Sequence, residues 1–137
     1  MNKKKEHNFS FKTPHLFNDD RGLLYEALRF KTEKIPNDGQ IYVYTVTPKS
    51  RRGDHYHKNK EEWFFCVYGE LELIIKTKDN KKIKKKLHYK NPEIVYVAPG
   101  TVHTLINNKN KEAVVVAYAS KEFEKDNSIL RFFYIFV

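Results

Sequence analysis

Histidines and a carboxylate able to bind a metal or move a proton are concentrated in the segment GDHYHKNKEEW. His55 and His57 are two residues apart, so on a β-strand both side chains point to the same face. Glu62 follows five residues after His57, and His103 occurs later, in APGTVHTLIN. Such nitrogen and oxygen donors suit Zn, Fe, Mn or Ni, and a neutral imidazole is also a good base at neutral pH. Taken singly, each residue is equally typical of a solvated surface, and only the joint spacing favours a site.

Length and composition predict one domain, residues 1–137, with a basic tip over residues 1–8. A chain of 137 residues can bury a core, and aromatic residues make up 15% of it. The single cysteine, Cys66, excludes an internal disulfide and fits a reducing compartment. The N-terminus is charged, unlike a secretory signal, and no apolar run reaches the ~18 residues of a membrane span. We therefore expect a cytoplasmic protein without a membrane partner.

The net charge of +9 raises the question of nucleic-acid binding. Many of the lysines lie in residues 76–86, where they alternate with apolar residues. That pattern is typical of a strand with a solvated face, and lysines on an edge strand also discourage aggregation. No nucleic-acid-binding motif accompanies the charge, so we expect no nucleic-acid partner.

Short runs rich in Val, Ile, Tyr and Phe alternate with turn residues along the chain. This spacing predicts an all-β sandwich or barrel with little helix, and RRGD at residues 51–54 is interpreted as one of the turns. The predicted strands span residues 41–46, 62–68, 70–77, 81–89, 93–98, 103–107 and 113–119.

Two motifs resemble those of the cupin superfamily. The first is HxH, four residues, Glu, six residues and Gly; the second is Pro-Gly, two residues, His, three residues and Asn. The resemblance implies a double-stranded β-helix, or jelly roll, whose open mouth binds the substrate. It also implies one divalent ion, bound by His55, His57, Glu62 and His103. Asn107, the last residue of the second motif, is expected to be structural and not a ligand.

Within the cupins, the chain is similar to the sugar-nucleotide branch. DDRGLLYE and GQIYVYTVTPKSRRGDHYH resemble segments of dTDP-4-dehydrorhamnose 3,5-epimerases, and the chain also resembles the cupin domain of capsular-polysaccharide enzymes that act on UDP-linked amino sugars. The resemblance implies that His55 abstracts a proton beside the sugar's keto group. By position, the residues implied to contact the substrate, chiefly its nucleotide and diphosphate, are Arg21, Glu26, Gln40 and Arg52.

One departure from the rhamnose-type epimerases leaves the role of the metal open. They have Gln where this chain has His57, and they work without metal; the capsular-enzyme cupin keeps the whole donor set, and its site resembles a zinc site. We expect zinc, with Mn, Fe or Ni as alternatives, and no organic cofactor. Because a metal-bound His55 cannot take a proton, a metal-bound hydroxide or a tyrosine would then have to act, with Tyr44 and Tyr96 as the candidate tyrosines.

These features together predict an epimerase or isomerase of a dTDP- or UDP-linked 4-keto-6-deoxy sugar in surface-polysaccharide synthesis. A 3,4-ketoisomerase is one form of this prediction, and the alternative is a metal- and ligand-binding cupin acting as a sensor or an oxygenase. Tyr42 and Tyr44 replace an amide and a hydroxyl of the family, which predicts stacking on the base and loose base selectivity. The apolar run at residues 129–137 favours a homodimer that buries part of it.

Overall fold

Twelve β-strands and no helix form the regular structure of the described residues. The computed structural model describes residues 8–124 and 128–130. In chain order the strands are β1 Phe9–Lys12, β2 Phe17–Asp19, β3 Gly22–Leu24, β4 Gln40–Val46, β5 Arg51–His57, β6 Glu62–Tyr68, β7 Glu70–Lys76, β8 Lys82–His88, β9 Ile94–Val97, β10 His103–Ile106, β11 Ala113–Ala119 and β12 Ser128–Leu130.

Ten of these strands make two five-stranded antiparallel sheets, which form the jelly roll. The first sheet has the order β1-β9-β6-β11-β4, and the second has the order β12-β5-β10-β7-β8. Strands β2 and β3 form a separate hairpin. The predicted all-β jelly roll is therefore confirmed, and each of the seven predicted strands coincides with an observed one.

The core lies between the sheets because most of their strands turn alternate side chains inward. Along β6 the buried and partly exposed residues alternate, with Phe64 and Cys66 on the buried face. Leu73 on β7 and Val115 on β11 are also buried in the same cluster, so both sheets contribute to it. This packed interior gives the site a rigid support.

The turn predicted at residues 51–54 is wrong, because these residues begin β5. The chain reverses just before them, where the Ser50 amide donates to the Thr47 carbonyl. Gly53 and Asp54, which the sequence analysis interpreted as turn residues, instead form an irregularity within the strand. Gly and Asp favour positive φ in bulges as well as in turns, so the residue types alone do not separate the two.

Two predicted features lie largely outside the described residues. They are the basic tip, of which residues 1–7 are outside, and the apolar C-terminal run, of which residues 131–137 are outside. Within the described part, no helix is long and apolar enough to cross a membrane.

Candidate active site between the two sheets

The three predicted histidines come together on neighbouring strands of the second sheet. His55 and His57 lie on β5, and His103 begins β10, directly opposite His55 in the ladder. The ring centroids of His55 and His103 are 4.9 Å apart, and those of His55 and His57 are 4.8 Å apart. One potential ligand atom from each histidine lies within 4.8 Å of the others. The strand register thus builds the cluster that the sequence spacing predicts.

A β-bulge sets this register. His103 pairs with His55, but the next residue of β10 pairs with Gly53, so Asp54 is passed over. Gly53 has a φ of +108°, and a Cβ there would lie 2.7 Å from the His103 carbonyl oxygen. Asp54 also has a positive φ, of 57°, and its carboxylate is bound by the Arg51 guanidinium, with Nε 2.9 Å from Oδ2. Glycine is therefore required where the bulge brings β5 against β10.

The turn before β10 orients the His103 ring. The Gly100 amide donates to the His57 carbonyl at 2.7 Å, which ties this turn to the end of β5. Nδ1 of His103 lies 2.9 Å from the Thr101 carbonyl oxygen. Because a carbonyl only accepts, Nδ1 must carry the hydrogen and Nε2 has a free lone pair. That is the tautomer a metal ligand needs.

Glu62 lies at the start of β6 and carries its carboxylate from the first sheet to the histidines of the second. Its Oε2 is 2.8 Å from His57 Nε2, and its Oε1 is 3.9 Å from His103 Nε2. Burial alone would raise the pKa of Glu62, but the hydrogen bond from His57 and the charges of His103 and His57 outweigh burial and lower it to about 2. The carboxylate is therefore ionised at neutral pH.

The pKa values of two of the imidazoles are also lowered, which keeps these rings neutral at neutral pH. Burial, followed by the neighbouring His103 and His57, lowers the pKa of His55 to about 4. Burial also lowers the pKa of His103, although Glu62 opposes the shift. At neutral pH these two rings hold their lone pairs, either for an ion or for a proton.

This donor set fits a divalent metal ion. Metal ligation requires deprotonated carboxylate and neutral imidazole, which are the states found for Glu62, His55 and His103. His57 Nε2 and Glu62 Oε2 face each other and share a proton. Metal binding would release this proton, and both atoms would then be free to bind the ion. Three imidazoles and one carboxylate match the preferences of Zn and of other first-row metals.

His55 and His103 open into a cavity of about 440 Å³ between the sheets. Side chains from β4 and β6 line one side, and side chains from β5 and β10 line the other. The lining residues are Tyr42, Tyr44, Arg51, Arg52, Gly53, His55, Glu62, His103 and Leu105.

The two arginines at this cavity differ in their availability to a ligand. Arg51 uses Nε and Nη2 to bind Asp54. Arg52 donates only Nε, to the Thr45 carbonyl at 2.7 Å, and its guanidinium carbon lies 5.8 Å from the centroid of the Tyr44 ring. The terminal nitrogens of Arg52 therefore make it the better candidate for binding an anion within the described part of the chain.

Some residues of the predicted substrate site lie away from this cavity. Arg21 is exposed and paired with Asp19, 2.6 Å between Nη2 and Oδ2, and Glu26 is exposed and 3.6 Å from Arg29. Gln40 does not line the cavity either; its Oε1 accepts from the Phe123 amide.

The structure also separates the two candidate tyrosines. Tyr44 lines the cavity, whereas Tyr96 lines another cavity, where its hydroxyl donates to Glu61 at 2.7 Å. Asn107 is structural, as expected: its Nδ2 donates to the carbonyls of Val46 and Lys111 at 2.9 and 2.8 Å.

One member of the site and one contact within it were not predicted. Arg51 was assigned no role, yet its guanidinium binds Asp54 in the bulge beside the histidines. Tyr42, predicted to stack on a base, also lies near Glu62 in the cavity lining, and burial together with this carboxylate raises the pKa of Tyr42. The only sequence signal for this contact is alternation along β4, which places Tyr42 and Tyr44 on one face.

An antiparallel jelly roll with a histidine and carboxylate cluster opening into its interior is the architecture of the cupin fold. Residues 17–128 match the family model described as polysaccharide biosynthesis C-terminal domain, and the chain belongs to that family.

A curated relative in Pseudomonas aeruginosa is UDP-2-acetamido-2,6-β-L-arabino-hexul-4-ose reductase, 30% identical over 128 residues. The match covers 89% of this chain and 32% of that protein, so the chain spans about a third of the relative's length.

Two solved structures show the same fold. One is the dTDP-6-deoxy-D-glucose-3,5-epimerase RmlC of Legionella pneumophila in complex with dTDP-4-keto-L-rhamnose, with a TM-score of 0.81 and 14% identity over 93% of this chain and 74% of that one. The other is the sugar 3,4-ketoisomerase QdtA of Thermoanaerobacterium thermosaccharolyticum in complex with TDP, with a TM-score of 0.76 and 20% identity over 91% of this chain and 89% of that one.

Proposed function

We propose that this protein is an epimerase or isomerase of a nucleotide-diphosphate 4-keto-6-deoxy sugar, acting in surface-polysaccharide biosynthesis. The observation that carries the proposal is the cavity that combines neutral imidazoles with an available guanidinium, that of Arg52. The related proteins support it, since one is named for a UDP-linked hexulose and the two solved structures contain TDP or a dTDP-linked keto sugar.

Proton abstraction beside a ketone needs a base and a group that stabilises the oxyanion. His55 lines the cavity, and its lowered pKa keeps it ready to accept a proton at neutral pH. Arg52 would bind the diphosphate through its terminal nitrogens, in the fork geometry that suits phosphate oxygens. Because base recognition would depend on the rings of Tyr42 and Tyr44, we expect similar affinity for dTDP and UDP.

We propose one divalent ion, with zinc first, held by His55, His57, Glu62 and His103. Such an ion supplies Lewis-acid stabilisation of negative charge that develops on a keto oxygen. A ligating His55 cannot also serve as the base, so another group must then move the proton. Tyr44 is the candidate that lines the cavity. Burial raises its pKa far above the ordinary value, so its hydroxyl can return a proton to the enolate, whereas the abstracting base is His55 when it is free of the ion.

Elemental analysis of protein purified without chelator tests the ion directly. The proposal expects about one equivalent, or one after reconstitution with Zn or Mn. Persistent sub-stoichiometric metal would instead leave His55 as a free base.

We also propose a homodimer. Apolar side chains are exposed on the β2–β3 hairpin, with Phe17 at 55% and Leu24 at 60%, and on edge strand β4, with Ile41 at 68% and Val43 at 63%. A second copy would cover them. Arg21 lies in the turn of this hairpin, outside its own chain's cavity and on the face that a second copy would cover. A monomer by light scattering at working concentration would contradict this.

The activity is tested by incubating the protein with a UDP- or dTDP-4-keto-6-deoxy sugar in deuterated water. We expect solvent deuterium at a carbon beside the keto group. The second candidate, a metal-dependent oxygenase or a sensor, is favoured by the same donor set, and metal-dependent O₂ uptake without exchange would support the oxygenase.

A further inference from the structure

The Tyr42 side chain makes a contact that neither proton abstraction nor nucleotide binding explains. Tyr42 lies directly opposite Ala117 in the ladder, and Glu62 lies directly opposite Ala119. Opposed residues of an antiparallel pair project to the same face, so both side chains enter the interior from either side of β11. The two alanines between them leave room for the Tyr42 side chain to reach across the strand. Both side chains line the same cavity, and burial, followed by the nearby Glu62 carboxylate, raises the pKa of the Tyr42 hydroxyl.

The ring of Tyr42 is itself held in place. It stacks on Tyr44, with centroids 5.9 Å apart and an interplanar angle of 23°. Tyr44 in turn lies beneath the Arg52 guanidinium, which is anchored to the Thr45 carbonyl. The Tyr42 hydroxyl therefore belongs to a ring that its neighbours hold in place, and a fixed donor restricts the rotation of the carboxylate it binds.

We propose that Tyr42 is a positioning residue for the metal centre, whose hydroxyl holds the Glu62 carboxylate toward the three histidines. Two neighbours would then hold the carboxylate: the Tyr42 hydroxyl, and His57, whose Nε2 lies 2.8 Å from Glu62 Oε2. The inference rests on the proposed metal site. It assigns the hydroxyl of Tyr42 to the metal centre and leaves the rings of Tyr42 and Tyr44 to face the ligand.

The test is a Co²⁺ titration of chelator-treated protein, followed by visible absorption and calorimetry. Tyr42→Phe keeps the ring and removes the hydroxyl, and losing such a supporting hydrogen bond lowers metal affinity by roughly 10–100-fold. Tyr96→Phe is the matched control, because it removes a tyrosine–glutamate hydrogen bond one residue away, to Glu61, which is not a proposed ligand. The control is expected to bind Co²⁺ like the wild type.

A double variant separates positioning from general destabilisation. If Tyr42 acts through Glu62, then adding Tyr42→Phe to Glu62→Gln causes no further loss of Co²⁺ affinity. An equal loss in both backgrounds, or unchanged affinity in Tyr42→Phe, overturns the role of Tyr42. Failure of the wild type to bind Co²⁺ overturns the metal site itself, and this role with it.

Discussion

Acid should destabilise the metal-free protein in two stages, because the site buries an ionised carboxylate beside neutral imidazoles. Burial, with His103 and His57, lowers the pKa of His55 from 6.5 to about 4. Burial raises the pKa of Glu62, but His57 and His103 outweigh it and lower the pKa from 4.5 to about 2. Both pKa values are thus lower in the folded protein than in the unfolded chain.

The sign and size follow from proton linkage. Between pH 6.5 and about 4, the unfolded chain binds a proton at His55 that the folded protein does not, so the free energy of unfolding falls as pH falls. At about 1.4 kcal/mol per pKa unit, this shift corresponds to about 3 kcal/mol. Glu62 contributes a similar amount, about 3 kcal/mol, present above pH 4.5 and lost as pH falls toward 2. The two contributions are not additive, because the groups belong to one coupled cluster.

Urea unfolding of chelator-treated protein across this pH range measures the effect. His55→Asn should reduce the first stage, of which the buried His103 retains a part because its pKa is also lowered, and Glu62→Gln should remove the second. His15→Asn is the control, because His15 is exposed and does not line the cavity. A free energy of unfolding that stays constant between pH 6.5 and 4, or that falls equally in His55→Asn, would refute the reasoning.

Two further predictions concern the bulge and the arginine. Gly53→Ala should lower the free energy of unfolding by about 1–3 kcal/mol, because the new Cβ meets the His103 carbonyl at positive φ. Gly22→Ala, where φ is also positive but no atom lies within 4 Å, should cost less; equal losses in urea unfolding would contradict this. Arg52→Ala should weaken dTDP and UDP binding equally, by roughly 10–100-fold in calorimetry, since a charged hydrogen bond contributes about 1.5–3 kcal/mol. Arg29→Ala, outside the cavity, is the control, and a preference for one base or an unchanged Arg52→Ala affinity would contradict the prediction.

The sheets were predictable because most of the chain obeys the period of two. Strand β6 alternates in burial from Glu62 to Val67, and the spacing of His55 and His57 required only that they share a face. Such patterns depend only on residues that are close in the sequence. They can therefore be recognised without knowledge of the tertiary fold.

Contacts that depend on two distant segments were not predictable in the same way. Strand β4 is apolar or aromatic on both faces, so alternation could not show that Tyr42 enters the cavity while Ile41 and Val43 are exposed. The sequence likewise could not separate a turn from a bulge at Gly53. The resemblance placed Arg21 at the substrate, but that residue lies outside its own chain's cavity.

This cavity is proposed to take a proton from the carbon beside a sugar keto group. NMR-detected exchange of solvent deuterium into a UDP- or dTDP-4-keto-6-deoxy sugar measures that step. We expect incorporation at a carbon next to the keto group with the wild type, a large loss with His55→Asn, and wild-type exchange with His15→Asn. Exchange that is absent from the wild type, or unchanged in His55→Asn, would contradict it.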